Sequence, residues 1–250
     1  MTVAVPTAAV AQTGATPSYD PVPTAAPTPP PTTPALKPTP VRAPNRITSW
    51  AGHLLMPMPA WGWPGRRGRM LTVVQPVAPL GAGPVWLEVR DVATVNGERW
   101  VKVLLPRRPN GTTGWMRADA FDFREFRLRI DIDLSARRLS LVRSGTRVAR
   151  FRIAVGAPST PSPTGSFAIA EIIPTGDPSG FLGPTVMPLA AFSNVLNEFA
   201  GGNGRVAIHG TSQPDLIGKP VSHGCFRMRN ADIRAVAALV SPGTHVTIHR

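Results

Sequence analysis

The residues best suited to covalent chemistry lie near the C-terminus. Cys225 is the only cysteine of the 250-residue chain, and His209 and His223 precede it. A thiol attacks a carbonyl as its thiolate, and a neighbouring imidazole can take the proton that is released. A lone cysteine forms no intramolecular disulfide, so Cys225 is either an inert, small hydrophobic residue or a nucleophile.

The positions of the two histidines suggest different roles. His223 is two residues from Cys225, so in an extended strand the two side chains share a face about 7 Å apart. That distance is long for proton transfer, although a turn would shorten it. His209 directly follows the predicted short strand 205–208 and is distant in sequence, as the base of a cysteine nucleophile often is. We favour His209 as the base and keep His223 as the alternative.

A glycine follows each histidine, Gly210 after the first and Gly224 after the second. Glycine lets the backbone approach a substrate closely or adopt a positive φ, and backbone N–H groups beside a nucleophile can hold an oxyanion. A zinc site is the rival interpretation, because imidazole and thiolate are zinc ligands. No further cysteine, histidine pair or glutamate pattern completes such a site, so we predict neither a metal nor a cofactor.

The elements that carry these residues are predicted to be mainly β-strands. From residue 127 onward apolar residues alternate with polar ones, as in half-buried strands. One helix is expected from Asn230, which would cap it, because apolar residues recur at helical spacing up to Val240. The Gly- and Pro-rich stretch 174–204 is predicted to be a long functional loop with a short helix near 194–199.

Three segments precede this catalytic region of residues 127–250. Residues 70–122 contain short apolar runs separated by Asn96-Gly97 and Asn110-Gly111, which are hairpin signals, and predict a small SH3-like β-barrel. Residues 48–69 are predicted to be a linker whose tryptophans pack against a neighbour rather than bind sugar rings. Residues 1–47 hold many of the chain's 30 prolines and predict a disordered tail.

The net charge of +13 would attract a polyanion such as nucleic acid, an anionic membrane or an acidic wall polymer. No run of five basic residues and no nucleic-acid motif accompanies it, so we expect no nucleic acid partner. No apolar stretch of about 18 residues or more predicts a transmembrane segment. The run 9–11, Ala-Val-Ala before Gln12, is similar to the end of an export signal, although a plain low-complexity tail is an equal alternative.

Two motifs carry a family resemblance. Residues 208–211 (I-H-G-T) and 222–228 (S-H-G-C-F-R-M) resemble the motif of L,D-transpeptidases with a YkuD-type catalytic domain. The segments 154–156 (A-V-G) and 160–167 (T-P-S-P-T-G-S-F) resemble a strand and loop of the same family, and the resemblance extends over residues 127–250. Phe226 departs from the commoner Ile or Val, which affects only fine pocket shape.

The resemblance implies a mainly β, sandwich-like catalytic domain and a set of residue roles. Cys225 would be the nucleophile and His209 the base, and the backbone carbonyl of Gly210 would orient the imidazole ring. The oxyanion side would be shaped by His223 and Gly224. Positions matching the motif would also contact the substrate, namely Ser222, Arg227 and Thr211.

The resemblance also implies a substrate and a location. Members cleave the bond after the third residue of a peptidoglycan stem peptide, release D-Ala and form 3→3 cross-links, without a cofactor. Carbapenem β-lactams are the expected inhibitors, and the expected location is extracytoplasmic, in the cell wall or secreted. Two alternatives remain open: an L,D-carboxypeptidase that uses water as acceptor, and a wall-binding protein.

Overall fold

The structure is a computed structural model that describes residues 41–198 and 201–250 and is mainly β with one α-helix. Most of the predicted tail, residues 1–40, lies outside the described residues. Its last part, residues 41–47, is described, and it packs through Val41 against the sheet formed by residues 49–126. Val41 is buried in a hydrophobic core, and its carbonyl accepts a 2.6 Å hydrogen bond from Arg99 Nη2. The predicted disordered tail of residues 1–47 is therefore too long, because the packed part of the chain includes Val41.

Seven strands of the N-terminal half form one antiparallel sheet in the order β3-β2-β6-β5-β4-β1-β7. The Asn96-Gly97 turn joins β4 to β5 with positive φ at both residues, 51° and 78°, as a tight hairpin turn requires. Whether this unit is an SH3-like barrel stays a prediction. The strands are β1 (Ser49–Leu54), β2 (Met58–Trp63), β3 (Arg67–Val74), β4 (Trp86–Val95), β5 (Glu98–Leu104), β6 (Thr113–Arg117) and β7 (Phe121–Phe126).

The segment 48–69, predicted to be a linker, is part of this sheet: it contains β1, β2 and the start of β3. Glycine and proline interrupt the alternation there and hid the strands. Gly52 is needed because a Cβ at this position would lie 2.7 Å from Phe121 Cδ1. Of the tryptophans in this segment, Trp50 is buried in the core, whereas Trp63 is 67% exposed.

The C-terminal half contains a five-stranded sheet in the order β10-β9-β8-β18-β12, a four-stranded sheet in the order β13-β14-β15-β17, and the pair β11-β16. One hydrophobic core includes side chains from both larger sheets and from the helix, which gives the predicted sandwich-like arrangement. The elements are β8 (Leu128–Asp133), β9 (Arg138–Arg143), β10 (Thr146–Arg152), β11 (Val155–Gly156), β12 (Gly165–Ala168), β13 (Ile173–Pro174), β14 (Thr185–Phe192), β15 (Arg205–His209), β16 (Pro220–Ser222), β17 (Phe226–Arg227), α1 (Asn230–Ala237) and β18 (His245–His249).

The prediction that residues 174–204 form one long loop is wrong. The strand β14 runs through the middle of this stretch, with seven of its eight residues buried. A strand buried on both faces is apolar throughout, so it lacks the alternation that identifies an exposed strand. Residues 194–198 form no helix. Instead, Ser193 Oγ accepts hydrogen bonds from the backbone N–H groups of Val195 and Leu196.

The helix α1 is present, but Asn230 does not cap it as predicted. The N-cap residue is Arg229, without a side-chain capping bond, and Asn230 is the first helical residue. The Asn230 side chain reaches away from the helix instead. Its Oδ1 accepts a 2.8 Å hydrogen bond from Thr211 N, and its Nδ2 donates to Pro178 O at 2.9 Å. Asn230 thus connects the loop that follows His209 with the loop that contains Pro178.

Residues 38–250 form one compact unit, and polar contacts join its N-terminal and C-terminal sheets. Glu88 on β4 is buried and lies 2.6 Å from His245 Nδ1 and 3.0 Å from Arg90 Nη2. Arg90 also donates to the carbonyl of Ser166 at 2.8 Å. The sheet of residues 49–126 is therefore anchored to β12 and β18 of the catalytic region.

Candidate active site

Strand pairing brings the sequence-distant histidine beside the cysteine. β15 and β17 run parallel, with Ile208 paired to Phe226 and His209 paired to Arg227. Cys225 directly precedes β17 and is thus level with Ala207. Because side chains alternate along a strand, the histidine, cysteine and arginine side chains belong to one face, and Ile208 and Phe226 to the other, where they are fully buried.

That face opens into a cavity of about 540 Å³. Its walls are largely apolar, two arginine residues contribute to them, and none of its lining residues carries a carboxylate side chain. The described residues that line it are Pro79, Leu80, Phe181, Leu182, Val186, Pro188, Gly201, Gly202, Asn203, Gly204, Arg205, Ala207, His209, Ser222, His223, Cys225 and Arg227. A partly apolar ligand with a negative charge fits such a lining.

The His209 imidazole is buried and held in one orientation. Its Nδ1 lies 2.6 Å from the carbonyl oxygen of Gly210. A carbonyl can only accept, so Nδ1 carries the proton and Nε2 is left as the basic nitrogen. Burial lowers the pKa of His209 to about 4; the Gly210 carbonyl opposes this shift and the Arg227 charge adds to it. His209 is therefore a neutral base at pH 7.

Cys225 is partly exposed, and its thiol stays protonated at neutral pH. Burial of the sulfur raises the pKa of Cys225 above its usual value, and a hydrogen bond with the Ala207 backbone and the charge of Arg227 only partly offset the effect. A neutral thiol beside a neutral imidazole requires proton transfer at the moment of attack. The site is thus arranged for general-base catalysis rather than for a resting thiolate–imidazolium pair.

The turn that presents Cys225 is braced from within by Ser222. The Ser222 hydroxyl donates to the Cys225 carbonyl at 2.6 Å and accepts from the Gly224 N–H at 3.1 Å. Gly224 has φ +114°, which favours glycine. The Gly224 N–H is therefore already engaged within the turn.

A second brace comes from the loop between β11 and β12. Ser162 Oγ donates to the Gly224 carbonyl and accepts from Gly156 N, both at 2.9 Å. Thr160 Oγ1 donates to the Ser222 carbonyl, also at 2.9 Å. In the sequence, only the family resemblance linked this loop to the site. The hydrogen bonds that make the link join residues about sixty positions apart, which no local pattern reveals.

The predicted site residues do not all reach the cavity. Ser222, His223 and the Arg227 guanidinium line it together with the catalytic pair, and the His223 side chain is exposed. Thr211 does not line it, since its residue is buried, its N–H donates to Asn230, and its hydroxyl accepts from Gln213 N at 3.0 Å. Thr211 is held within the fold rather than presented to a substrate.

Arg227 is held at the cavity wall by an aromatic contact. The residue is 5% exposed, its guanidinium carbon lies 4.7 Å from the centre of the Phe181 ring, and its Nη1 donates to Gln213 Oε1 at 3.3 Å. The Phe181 ring is also 6.0 Å from the His209 ring. Burial lowers the pKa of Arg227, although the group stays charged.

The sequence did not identify four apolar residues of the cavity, which are Leu182, Phe181, Pro79 and Leu80. In the sequence they form two separate apolar pairs, each within a Gly- and Pro-rich stretch, and no other feature distinguishes them. Within the part of the chain that the structure describes, no group of three or more His, Cys, Asp or Glu side chains is arranged to hold a metal ion. In the same residues, no helix has the length and hydropathy needed to cross a bilayer.

Residues 127–248 match the family model of the L,D-transpeptidase catalytic domain, YkuD, and this range contains both Cys225 and His209. Over this range the sequence is similar to the YkuD-type L,D-transpeptidase family. Over 120 residues it is 38% identical to a Bacillus licheniformis protein assigned as L,D-transpeptidase YkuD, covering 48% of this chain and 64% of the relative. The Bacillus subtilis counterpart is 37% identical over 121 residues, 48% of this chain and 65% of the relative.

The match thus spans slightly less than two thirds of those relatives. Among solved structures, an L,D-transpeptidase from Mycobacterium smegmatis aligns over 66% of this chain and 99% of its own, with 18% identity and a TM-score of 0.38. The family assignment rests on the sequence matches.

Proposed function

We propose that this protein is a cysteine L,D-transpeptidase that forms 3→3 cross-links between peptidoglycan stem peptides. The observation that carries the proposal is the placement of His209, on β15, and Cys225, directly before the adjacent parallel strand β17, beside one cavity. The matched family supports the reaction class. An apolar cavity with two cationic side chains suits a short peptide that ends in a carboxylate.

Acylation would begin when Cys225 Sγ attacks the carbonyl carbon of the third residue of a tetrapeptide stem. The thiol proton passes to His209 Nε2 as the S–C bond forms, and N–H groups of the 222–225 turn hold the negative oxygen. The tetrahedral intermediate collapses by breaking the C–N bond, and His209 returns the proton to the amine of the leaving D-Ala.

Deacylation would complete the cross-link. The side-chain amine of the third residue of another stem attacks the thioester carbonyl and loses a proton to His209. The S–C bond breaks, and the Cys225 sulfur recovers a proton. If water attacks instead, the same site acts as an L,D-carboxypeptidase.

The test is mass spectrometry of the products formed from purified tetrapeptide stems. We expect 3→3 dimers and free D-Ala from the wild type, and neither from Cys225→Ala or Cys225→Ser. His209→Ala should slow acylation by at least about 10²-fold, the scale for loss of a general base, and His223→Ala should affect it less.

Thermal melting of each variant controls for folding. Tripeptide without dimer would establish the carboxypeptidase. Binding to sacculi without any turnover would favour a wall-binding protein, and full activity in Cys225→Ala would refute the cysteine mechanism.

Carbapenems should acylate Cys225, because the thiol attacks a strained amide carbonyl and the thioester persists when water is kept away. Intact-mass spectrometry should show one adduct that maps to the peptide containing Cys225, is absent from Cys225→Ser and is weaker in His209→Ala. A folded protein that forms no adduct with several carbapenems would count against an active transpeptidase site.

We place the protein outside the cytoplasmic membrane as part of the same proposal, because its substrate lies there. The net positive charge suits an acidic wall polymer. Fractionation of the native host should find the protein in the wall or secreted fractions, with a mature N-terminus near Gln12. A purely cytosolic protein that starts at Met1 would contradict the proposal.

A further inference from the structure

The cavity around Cys225 is not built by the catalytic region alone. Pro79 and Leu80, from the loop between β3 and β4, line it together with His209 and Cys225. This loop lies outside residues 127–248, the range that matches the transpeptidase family. The N-terminal sheet thus contributes part of the cavity wall.

The loop is held in place by backbone hydrogen bonds within itself. Ala78 N donates to Gly83 O at 2.7 Å, and Val85 N donates to Pro76 O at 2.8 Å. Ala78 is buried, and Val77 forms an isolated bridge with Pro84. The residues that flank Leu80 therefore have a defined conformation.

The loop is also tied directly to the catalytic region. Gly81 N donates a 2.5 Å hydrogen bond to Oε2 of Glu171, whose carboxylate is buried. A Cβ on Gly81 would lie 2.9 Å from that oxygen and 3.2 Å from Ile173 Cγ1, so a glycine permits this close approach. The tie is adjacent to Leu80 and sets its position at the cavity.

Leu80 belongs to an apolar rim that has no cover in the described residues. Leu80 is 58% exposed, and on the catalytic side Phe181 is 48% and Leu182 is 42% exposed. All three line the cavity, and Arg205 and Arg227 supply its positive charge. A peptide with aliphatic side chains and a terminal carboxylate, bound at Cys225, would cover this rim and pair with the charges.

We propose that Leu80 is a specificity-determining residue that contacts the aliphatic part of the bound stem peptide, so that the N-terminal sheet takes part in substrate selection. This inference rests on the proposed function for its substrate. It assigns Leu80 to binding rather than to the chemical steps, because an aliphatic side chain can neither transfer a proton nor act as a nucleophile.

The chain offers a matched control in Val77, on the same loop. Val77 is also 58% exposed, but it does not line the Cys225 cavity. Leu80→Ala should raise KM for the tetrapeptide stem about fivefold to tenfold, with kcat and melting temperature unchanged, because it removes apolar contact made equally in ground and transition states. Val77→Ala should leave KM unchanged.

Labelling of the lone cysteine tests the geometry without any turnover. Leu80→Trp should slow the reaction of Cys225 with a bulky aromatic maleimide several-fold and leave the reaction with iodoacetamide unchanged, whereas Val77→Trp should change neither. If the wild type cross-links stems but no Leu80 variant alters KM or labelling, the inference is wrong and the proposed function stands. If the wild type does not act on stems, the proposed function is wrong, and labelling alone decides whether Leu80 forms part of the cavity wall.

Discussion

Burial acts on His209 and Cys225 in the same way, because it favours the uncharged form of each side chain. Burial keeps the His209 imidazole neutral and ready to accept a proton, and it keeps the Cys225 thiol protonated until a substrate arrives. The Gly210 carbonyl fixes which imidazole nitrogen is basic. The resting site therefore carries its positive charge on Arg227 rather than on the imidazole, and this charge is available to a substrate carboxylate.

The lowered pKa of His209 predicts how stability depends on pH. The pKa is about 4 in the folded state and near 6.5 in the unfolded chain, so the unfolded state binds more protons between these values. This contribution is fully present above pH 6.5 and is lost as the pH falls to about 4, a change of about 3 kcal/mol.

Denaturant unfolding at several pH values should show this loss in the wild type and a smaller one in His209→Gln. Equal slopes for the two proteins would show that His209 is not held neutral by burial.

Ser162 is predicted to position the nucleophile without touching the substrate. Its hydroxyl joins Gly156 N to the carbonyl of Gly224, beside Cys225. Ser162→Ala leaves both groups without this partner and should lower kcat for the stem peptide about tenfold to a hundredfold, with the pH profile unchanged.

The control is Ser166→Ala, in the same region of chain but exposed, which should retain wild-type kcat. A purely structural role would lower the melting temperature of Ser162→Ala without lowering kcat in the protein that remains folded.

At the scale of elements, the site depends on the pairing of β15 with β17. These strands are distant in sequence and parallel, so side chains that alternate along each strand meet on one face. The helix α1 follows β17 directly, and Asn230 at its start fixes the loop after β15. The two motifs are therefore held by the sheet on one side and by the helix start on the other.

The buried carboxylate of Glu88 is predicted to join the two sheet systems. It contacts His245 on β18 and Arg90 on its own strand, and its side chain is 1% exposed. Glu88→Ala leaves Arg90 without its counter-charge and His245 without its hydrogen-bond partner, and should cost about 3 kcal/mol, which lowers Tm by roughly 6–12 °C.

Glu98→Ala is the control on the neighbouring strand, because its ion pair with Arg117 is partly exposed to solvent and should contribute little to stability. Similar Tm values for the two variants would show that the Glu88 contacts do not hold the sheets together.

At the scale of the whole molecule, the family range is not an independent unit of structure. Gly243, before β18, packs so closely on the N-terminal sheet that a Cβ there would lie 2.5 Å from Ala51 Cβ. Arg108, on the β5–β6 connection, donates to the carbonyls of Ser193, Leu196 and Asn203. The last of these residues lines the catalytic cavity, so the N-terminal sheet supports the site in a second place.

A fragment of residues 127–250 should therefore be less stable than the full chain and bind stem peptides more weakly. It loses the contacts at Glu171, His245 and Gly243, and it exposes apolar surface to water. We expect a lower melting temperature and increased binding of a hydrophobic dye. Equal melting temperature and equal KM for fragment and full chain would show that the N-terminal sheet is dispensable.

The sequence alone determined the family resemblance and the position of several strands. The cysteine, the two histidines and their glycines pointed to the YkuD-type L,D-transpeptidase family, because the motif around them is long. Period-two alternation located β8 and β9, and the Asn96-Gly97 turn located the β4–β5 hairpin. These features depend on residues close to one another in the chain.

The tertiary structure decided what depends on distant residues. Burial, which no single residue specifies, gave His209 its low pKa and removed Thr211 from the cavity. β14 was hidden because a strand buried on both faces shows no alternation. β1 was hidden by Gly52, which only its close contact with Phe121 explains, and β2 by Pro59 and Gly62, which interrupt the alternation. Leu80 lines the cavity next to residues of the catalytic region that are distant in sequence. In the sequence itself it is only a leucine beside a glycine.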